Sequence, residues 1–202
     1  YFDYLNVKKI NFFTDISNYV SYETGQPTHC YNYEKVGDKI KLDFLEDNCK
    51  FQTLVDKTIN LDDKDLVFKN KYNQVINLAG VMGGKDSACE KSTKSVVIEC
   101  AYFSPETILG KTIKHNINSE AAYKFERNTD PSSHEFVLRR FLKLIEEHTN
   151  INNVEIFSEI NSKPNSIAIP YNLKKINAIL GTKVTNKKLK NYLENLGFQI
   201  TD

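Results

Sequence analysis

The run Ser95-Val96-Val97-Ile98-Glu99-Cys100-Ala101 sets one carboxylate inside an otherwise apolar, β-branched segment. Such a run reads as a buried strand. A strand places Val97, Glu99 and Ala101 on one face. A buried carboxylate costs several kcal/mol, about 3–5, unless it is paired or hydrogen-bonded. Two readings of Glu99 follow. It is a strand-end residue that faces solvent or pairs with a Lys, or it is a carboxylate held in a pocket for a donor on a ligand, with its ionisation suppressed by desolvation.

Upstream, Asp65–Lys69 and Gln74–Leu78 are apolar-rich runs around Asn70-Lys71-Tyr72-Asn73, which predicts a hairpin. Ile40, Leu42 and Phe44 alternate with Lys39, Lys41 and Asp43, as in a half-buried strand. Downstream, residues 132–148 form the one long helical pattern. Val137, Leu138, Phe141, Leu142, Leu144 and Ile145 make an apolar stripe, and Asp130-Pro131 supplies an N-cap with Pro at the first helical position. Strands come in runs rather than alternating with helices. The fold class predicted is therefore α+β, a largely antiparallel sheet flanked by helices.

Residues 161–166, Asn-Ser-Lys-Pro-Asn-Ser, read as a linker between a first domain at 1–160 and a second part at 167–202. The second part predicts strand–helix–helix–strand: Ile167–Ile169, a helix carrying Leu173, Ile176, Ile179 and Leu180 up to Gly181, a helix from Thr185 to Gly197, and Phe198–Ile200. This is the front half of a small winged-helix-like module. Tyr1 in place of Met, and an end directly after an apolar triplet, lead to the expectation of a piece of a longer protein without a signal peptide.

The 27 basic and 26 acidic side chains nearly cancel, which excludes a polybasic nucleic-acid coat and gives no reason to expect DNA as a partner. No stretch of about 18 apolar residues offers a membrane span. Four cysteines, at 30, 49, 89 and 100, form no CxxC pair and are too sparse for a disulfide scaffold. Reduced thiols in a cytoplasmic setting are expected.

Leu78-Ala79-Gly80-Val81-Met82-Gly83-Gly84 packs three glycines into seven residues. It is either a sharp turn between strands or a loop that presents backbone N–H groups to a ligand oxygen. It matches neither GxxxxGK[ST] nor GxGxxG. His29 reads as a capping or core histidine on spacing alone. No HxxxH or HExxH spacing occurs, so no zinc or other metal site is predicted. GxSxG is absent as well.

Taken in order, five blocks carry a resemblance. They are Thr14-Asp15-Ile16-Ser17-Asn18-Tyr19-Val20, Glu23-Thr24-Gly25-Gln26-Pro27-Thr28-His29, Leu78–Gly84, Ile98-Glu99-Cys100-Ala101-Tyr102-Phe103-Ser104-Pro105, and Ala121-Ala122-Tyr123-Lys124-Phe125-Glu126-Arg127-Asn128-Thr129-Asp130-Pro131. Over about residues 1–160 the chain resembles the editing module of the bacterial-type phenylalanyl-tRNA synthetase β subunit. Residues 166–202 resemble the start of the next β-subunit module.

The resemblance implies hydrolysis of tyrosine wrongly esterified to phenylalanine tRNA. A phenylalanine pocket rejects an isostere with one added hydroxyl only about 10²-fold, whereas a site that demands the hydroxyl discriminates about 10⁴–10⁵-fold. It implies phenylalanine tRNA and the α subunit as partners, in an (αβ)₂ assembly, with tyrosine as the editing ligand. ATP and magnesium serve the whole enzyme, and no cofactor is implied for this piece. Residue by residue, Glu99 matches the acceptor of the tyrosine hydroxyl and Gly83 the glycine whose N–H faces it. His29 matches the histidine near the scissile ester. Ser119 stands where the family has Thr, Ala121 where it has Ala, and Lys8 where it often has Arg near the tRNA terminus. His29 and Ser119 are expected to orient a water, assisted by the tRNA's terminal ribose hydroxyl. Asn128-Thr129 replaces Gly-Val, Ala122 replaces Ser and Lys124 replaces Arg. A non-hydrolytic module that positions tRNA or the α subunit is the alternative; the abrupt ends speak against a free-standing editing protein.

Overall fold

The computed structural model describes residues 1–160 and 167–201. The predicted linker at 161–166 lies outside the described residues. The chain divides into two compact units, Tyr1–Glu159 and Ile160–Asp202.

In chain order the first unit contains α1 (Phe2–Leu5), α2 (Phe12–Thr24), β1 (His29–Asn32), α3 (Tyr33–Val36), β2 (Ile40–Phe44), β3 (Cys49–Gln52), β4 (Thr58–Leu61), β5 (Leu66–Asn70), β6 (Val75–Leu78) and β7 (Met82–Gly83). It continues through β8 (Val96–Glu99), α4 (Pro105–Ile108), α5 (Lys111–His115), α6 (Glu120–Phe125) and α7 (His134–Glu146). This is the predicted α+β class, but the strands form three small antiparallel sheets rather than one: β1-β8, β2-β5-β6-β7 and β3-β4.

The β1-β8 ribbon explains the run at 96–101. Tyr31, Val97 and Ala101 pack into one core, built on β5, β6, Phe103, Ile108 and Phe125. Cys30, Val96, Ile98 and Cys100 pack into a second, formed between α2 and α7 around Phe13, Val20, Val137 and Phe141. A ribbon covered on both faces has apolar residues at successive positions instead of alternating ones. The β8 residues are each half-buried, less than the full burial predicted, because a two-stranded ribbon leaves β8 with one neighbouring strand.

The hairpin is β5 and β6, closed by Asn70, whose Oδ1 accepts from the N–H groups of Tyr72 and Gln74. β2 forms where alternation places it and pairs with β5. Its apolar side is not covered as predicted: Leu42 is 42% and Phe44 49% exposed. The long helix starts later than predicted, at His134. Asp130 Oδ1 accepts from Ser132 N–H at 2.8 Å, two residues on. That closes an Asx turn one step before the helix, so Asp130-Pro131 does not cap α7.

In the second unit, α8 (Leu173–Leu180) and α9 (Asn186–Asn195) form as predicted. They are capped by Asn172 and Thr185, and the chain turns left-handed at Gly181 and Gly197. The predicted strands at 167–169 and 198–200 are absent. A strand needs a neighbour to satisfy its backbone N–H and C=O groups, and among the described residues neither segment has one. The winged-helix-like reading therefore reduces to its two helices, of which only Leu189 is fully buried.

Candidate functional site

The site is set by register. His29 and Glu99 are direct partners across β1 and β8, and Tyr31 pairs with Val97 two residues along. Directly opposed residues of an antiparallel pair share a face, as do residues two apart on one strand. His29, Tyr31 and Glu99 therefore project together, and the imidazole meets the Tyr31 ring edge-on at 4.5 Å.

Tyr31 is fully buried. Its hydroxyl donates to Glu99 Oε2 at 2.5 Å and accepts from Asn77 Nδ2 at 2.8 Å. Burial pushes the Glu99 carboxyl up to about 7, opposed by the hydrogen bond from Tyr31. Glu99 is thus neither solvent-facing nor Lys-paired. Burial holds His29 neutral, pulling its imidazole down to about 4. Its Nε2 is buried with no hydrogen-bond partner, as is Asn77 Oδ1.

The glycine segment is both a turn and part of this site. Val81 N–H bonds to Leu78 O, closing the turn from β6 into β7. At Gly83 a Cβ would lie 2.5 Å from His29 Cε1 and 2.8 Å from Nε2, so the imidazole rests against a bare Cα. At Gly84 a Cβ would lie 2.8 Å from Ile76 O, a backbone atom that cannot swing aside.

Ser119 sits at the N-terminus of α6. Its Oγ donates to Val81 O at 2.6 Å and accepts from Ala122 N–H at 3.1 Å. The hydroxyl therefore ties the helix start to the glycine turn and does not bond His29. Ala121 packs half-buried on the first core. Lys8 is exposed, on the irregular segment after α1. The structure thus brings His29, Gly83 and Glu99 together, hangs Ser119 on the adjoining turn, and leaves Lys8 without a contact to them.

Three contributors escape the sequence reading. Tyr31 lies two residues from His29, a same-face spacing that would have marked it. Asn77 is an amide within an apolar strand, Val75-Ile76-Asn77-Leu78. Gln26 is almost fully buried, and its Nε2 donates to Pro27 O at 3.0 Å and Ala101 O at 2.8 Å, pinning the loop before His29 to the end of the β8 run. A cleft of about 600 Å³ lined by Cys49, Phe51, Lys69 and Gly84 borders the glycine segment but includes none of the six predicted residues. Among the described residues no group of His, Cys, Asp and Glu is placed to hold a metal ion, and no helix is long and apolar enough to cross a membrane.

Residues 4–150, which carry this whole arrangement, match the B3/4 domain family. The chain belongs to that family. The B3/4 domain here is similar to the phenylalanine–tRNA ligase β subunit of Francisella tularensis, 34% identical over 87% of this chain and 22% of the relative. The corresponding β subunit of Clostridium acetobutylicum is 33% identical over 94% of the chain and 24% of the relative. That of Leptospira biflexa is 32% identical over 96% of the chain and 25% of the relative. The chain spans about a quarter of the length of the curated relatives it matches.

Two departures noted in the sequence have local explanations in this B3/4 domain. Asn128 has φ +67°, a left-handed conformation that Asn tolerates better than most residues, so it can stand where Gly is usual. Lys124 reaches Ser21, donating to its carbonyl and hydroxyl oxygens, both at 2.7 Å.

Proposed function

We propose that this chain is the B3/4 portion of a phenylalanine–tRNA ligase β subunit, with an editing domain at 1–160, a linker at 161–166 and the start of the next domain at 167–202. On this reading it hydrolyses the ester of tyrosine mischarged on phenylalanine tRNA. The observation that carries the reading is the register that sets Glu99 opposite His29 on one face. One partner offers a half-buried acceptor suited to a phenol hydroxyl, and the other offers an unpartnered ring nitrogen beside it.

The chemistry needs no side-chain nucleophile. Water adds to the ester carbonyl carbon, the bond to the ribose oxygen breaks, and that oxygen leaves with a proton, ultimately from the attacking water. A neutral His29 orients the water by hydrogen bonding rather than by holding its proton. Ser119 contributes its remaining lone pair and fixes the Gly80–Gly83 turn through Val81. Glu99 and the Gly83 N–H select the tyrosine hydroxyl, Ala121 lines the pocket, and Lys8 meets the tRNA terminus. Phenylalanine leaves those buried polar groups unpaired, which is the source of the discrimination.

The partners follow from the same reading: phenylalanine tRNA, and an α subunit that carries aminoacylation with ATP and magnesium, in a cytoplasmic (αβ)₂ enzyme. The test is deacylation of tyrosyl- and phenylalanyl-charged phenylalanine tRNA by the assembled enzyme. Tyrosyl ester hydrolysis that depends on His29 and Glu99 and spares the phenylalanyl ester is expected. Equal rates for wild type and His29→Ala would overturn it and favour the tRNA-positioning alternative.

A further inference from the structure

Tyr31 contributes a phenol hydroxyl from the chain itself to the carboxylate that the proposed function assigns to a ligand's phenol hydroxyl. It is fully buried, its ring is flanked by His29 at 4.5 Å and Phe68 at 6.4 Å, and its oxygen is fixed from behind by Asn77 Nδ2. Each group in the chain Asn77–Tyr31–Glu99 has one orientation that satisfies the next. Only Oε2 of Glu99 is taken; among the described residues Oε1 accepts no hydrogen bond.

We propose that Tyr31 is a positioning and specificity-determining residue of this site: its hydroxyl, held by Asn77, fixes one carboxylate oxygen of Glu99 and leaves the other aimed for the ligand. A carboxylate on a flexible stem otherwise samples several rotamers and loses freedom on binding. Here that ordering is complete before the ligand arrives. The inference rests on the editing reading only for the identity of the ligand; the hold of Tyr31 on Glu99 belongs to the ligand-free protein.

Glu99 is an isolated charge, which makes the effect readable. The groups facing it are the Tyr31 hydroxyl and, across β1, the neutral His29. Cys30 and Cys100, one residue off, turn to the opposite core with raised thiols. No Lys or Arg pairs with Glu99 among the described residues. The donated Tyr31 hydrogen thus favours the ionised carboxylate against its burial. Tyr31→Phe keeps the ring and removes that hydrogen.

The experiment is a carbon-13 titration of the Glu99 carboxyl in the ligand-free 202-residue chain, wild type against Tyr31→Phe. Calorimetric binding of L-tyrosine is then measured to both across the same pH range. The Tyr31→Phe midpoint is expected to move up by more than about half a pH unit, with tyrosine affinity down about tenfold. Asn77→Leu, which keeps Tyr31 but removes its donor, is expected to shift the midpoint in the same direction by less; this second variant serves if Tyr31→Phe folds poorly. An unchanged or lowered midpoint would overturn the inference whatever the ligand. So would wild-type tyrosine affinity in a Tyr31→Phe protein whose midpoint had moved. A shifted midpoint in a protein whose wild type does not prefer tyrosine to phenylalanine would sink the editing reading and leave the hold of Tyr31 on Glu99 standing.

Discussion

The imidazole of His29 lies so close to Gly83 that a methyl group on that glycine would sit 2.5 Å from Cε1. Leu54 Cδ1 would be 2.8 Å away on another side. Both obstacles are side chains, so Gly83→Ala displaces His29 rather than breaking the backbone. The expected stability cost is about 1–3 kcal/mol, while the loss of tyrosyl-ester hydrolysis exceeds about tenfold, because a small misplacement of a positioning group costs that much or more. Urea unfolding and deacylation rates on the same variant separate the two effects. Full activity in Gly83→Ala would show that the contact is incidental.

Glu99 makes stability fall with rising pH. An unfolded carboxyl titrates near 4.5, whereas in the folded chain burial pushes Glu99 up to about 7. Between those values the folded state holds more protons, so its stability drops as pH rises and levels off above about 7. His29 acts in the opposite sense between about 4 and 6.5, since burial keeps the folded imidazole neutral. That contribution is common to wild type and Glu99→Gln and cancels in the comparison. Glu99→Gln is therefore expected to gain stability relative to wild type between pH 5 and pH 8, by roughly 2–3 kcal/mol. Denaturant unfolding at the two pH values checks this; a constant difference would mean that Glu99 is not held up by burial.

Asp65 is fully buried, and it is charged. Burial alone would push it up. The hydrogen bonds from Lys114 at 2.8 Å and Lys111 at 2.9 Å, with the Asp62 N–H and His115, outweigh that and hold it well below the usual carboxylate range. The pairing ties α5 to the turn before β5. Its contribution is fully present above the usual carboxylate range and is lost as pH falls below about 4. Asp65→Asn leaves two lysines facing a neutral amide and is expected to cost about 3–5 kcal/mol, with a flatter acid limb in a pH series of thermal melts. A loss under about 1 kcal/mol would demote the cluster to a surface ion pair.

Ser119 has a structural task that can be separated from a chemical one. Ser119→Ala removes the cap on α6 and the donor to Val81, with an expected cost of about 1–2 kcal/mol. Ser119→Thr restores both. If Ser119 acts through the turn, deacylation follows stability across the pair, and Ser119→Thr recovers it. Loss of hydrolysis in Ser119→Thr at unchanged stability would contradict this.

The sequence made visible what local pattern encodes. The β5–β6 hairpin shows because a polar tetrapeptide interrupts two apolar runs, and α8 and α9 show through their caps and stripes. β1 and β3 are four residues long with too few apolar positions to show a period, and β1 is a strand because β8 pairs with it. Asp130-Pro131 carries a capping signal that the chain spends on a turn. At the site, Glu99 stands out as a charge in an apolar run. Its partners do not: Tyr31 is 68 residues away and is bonded in turn by Asn77, 46 residues from it. Which polar group meets which depends on register across separate sheets, and short-range pattern carries no record of it.

On the proposed reading, Glu99 makes this site demand a phenol hydroxyl. Calorimetric binding of L-tyrosine and L-phenylalanine to the chain, with Glu99→Gln beside wild type, tests it most directly. Tyrosine is expected to bind more tightly than phenylalanine, and the preference to collapse in Glu99→Gln. Equal binding of the two amino acids by wild type, or a tyrosine preference that survives in Glu99→Gln, would contradict the account.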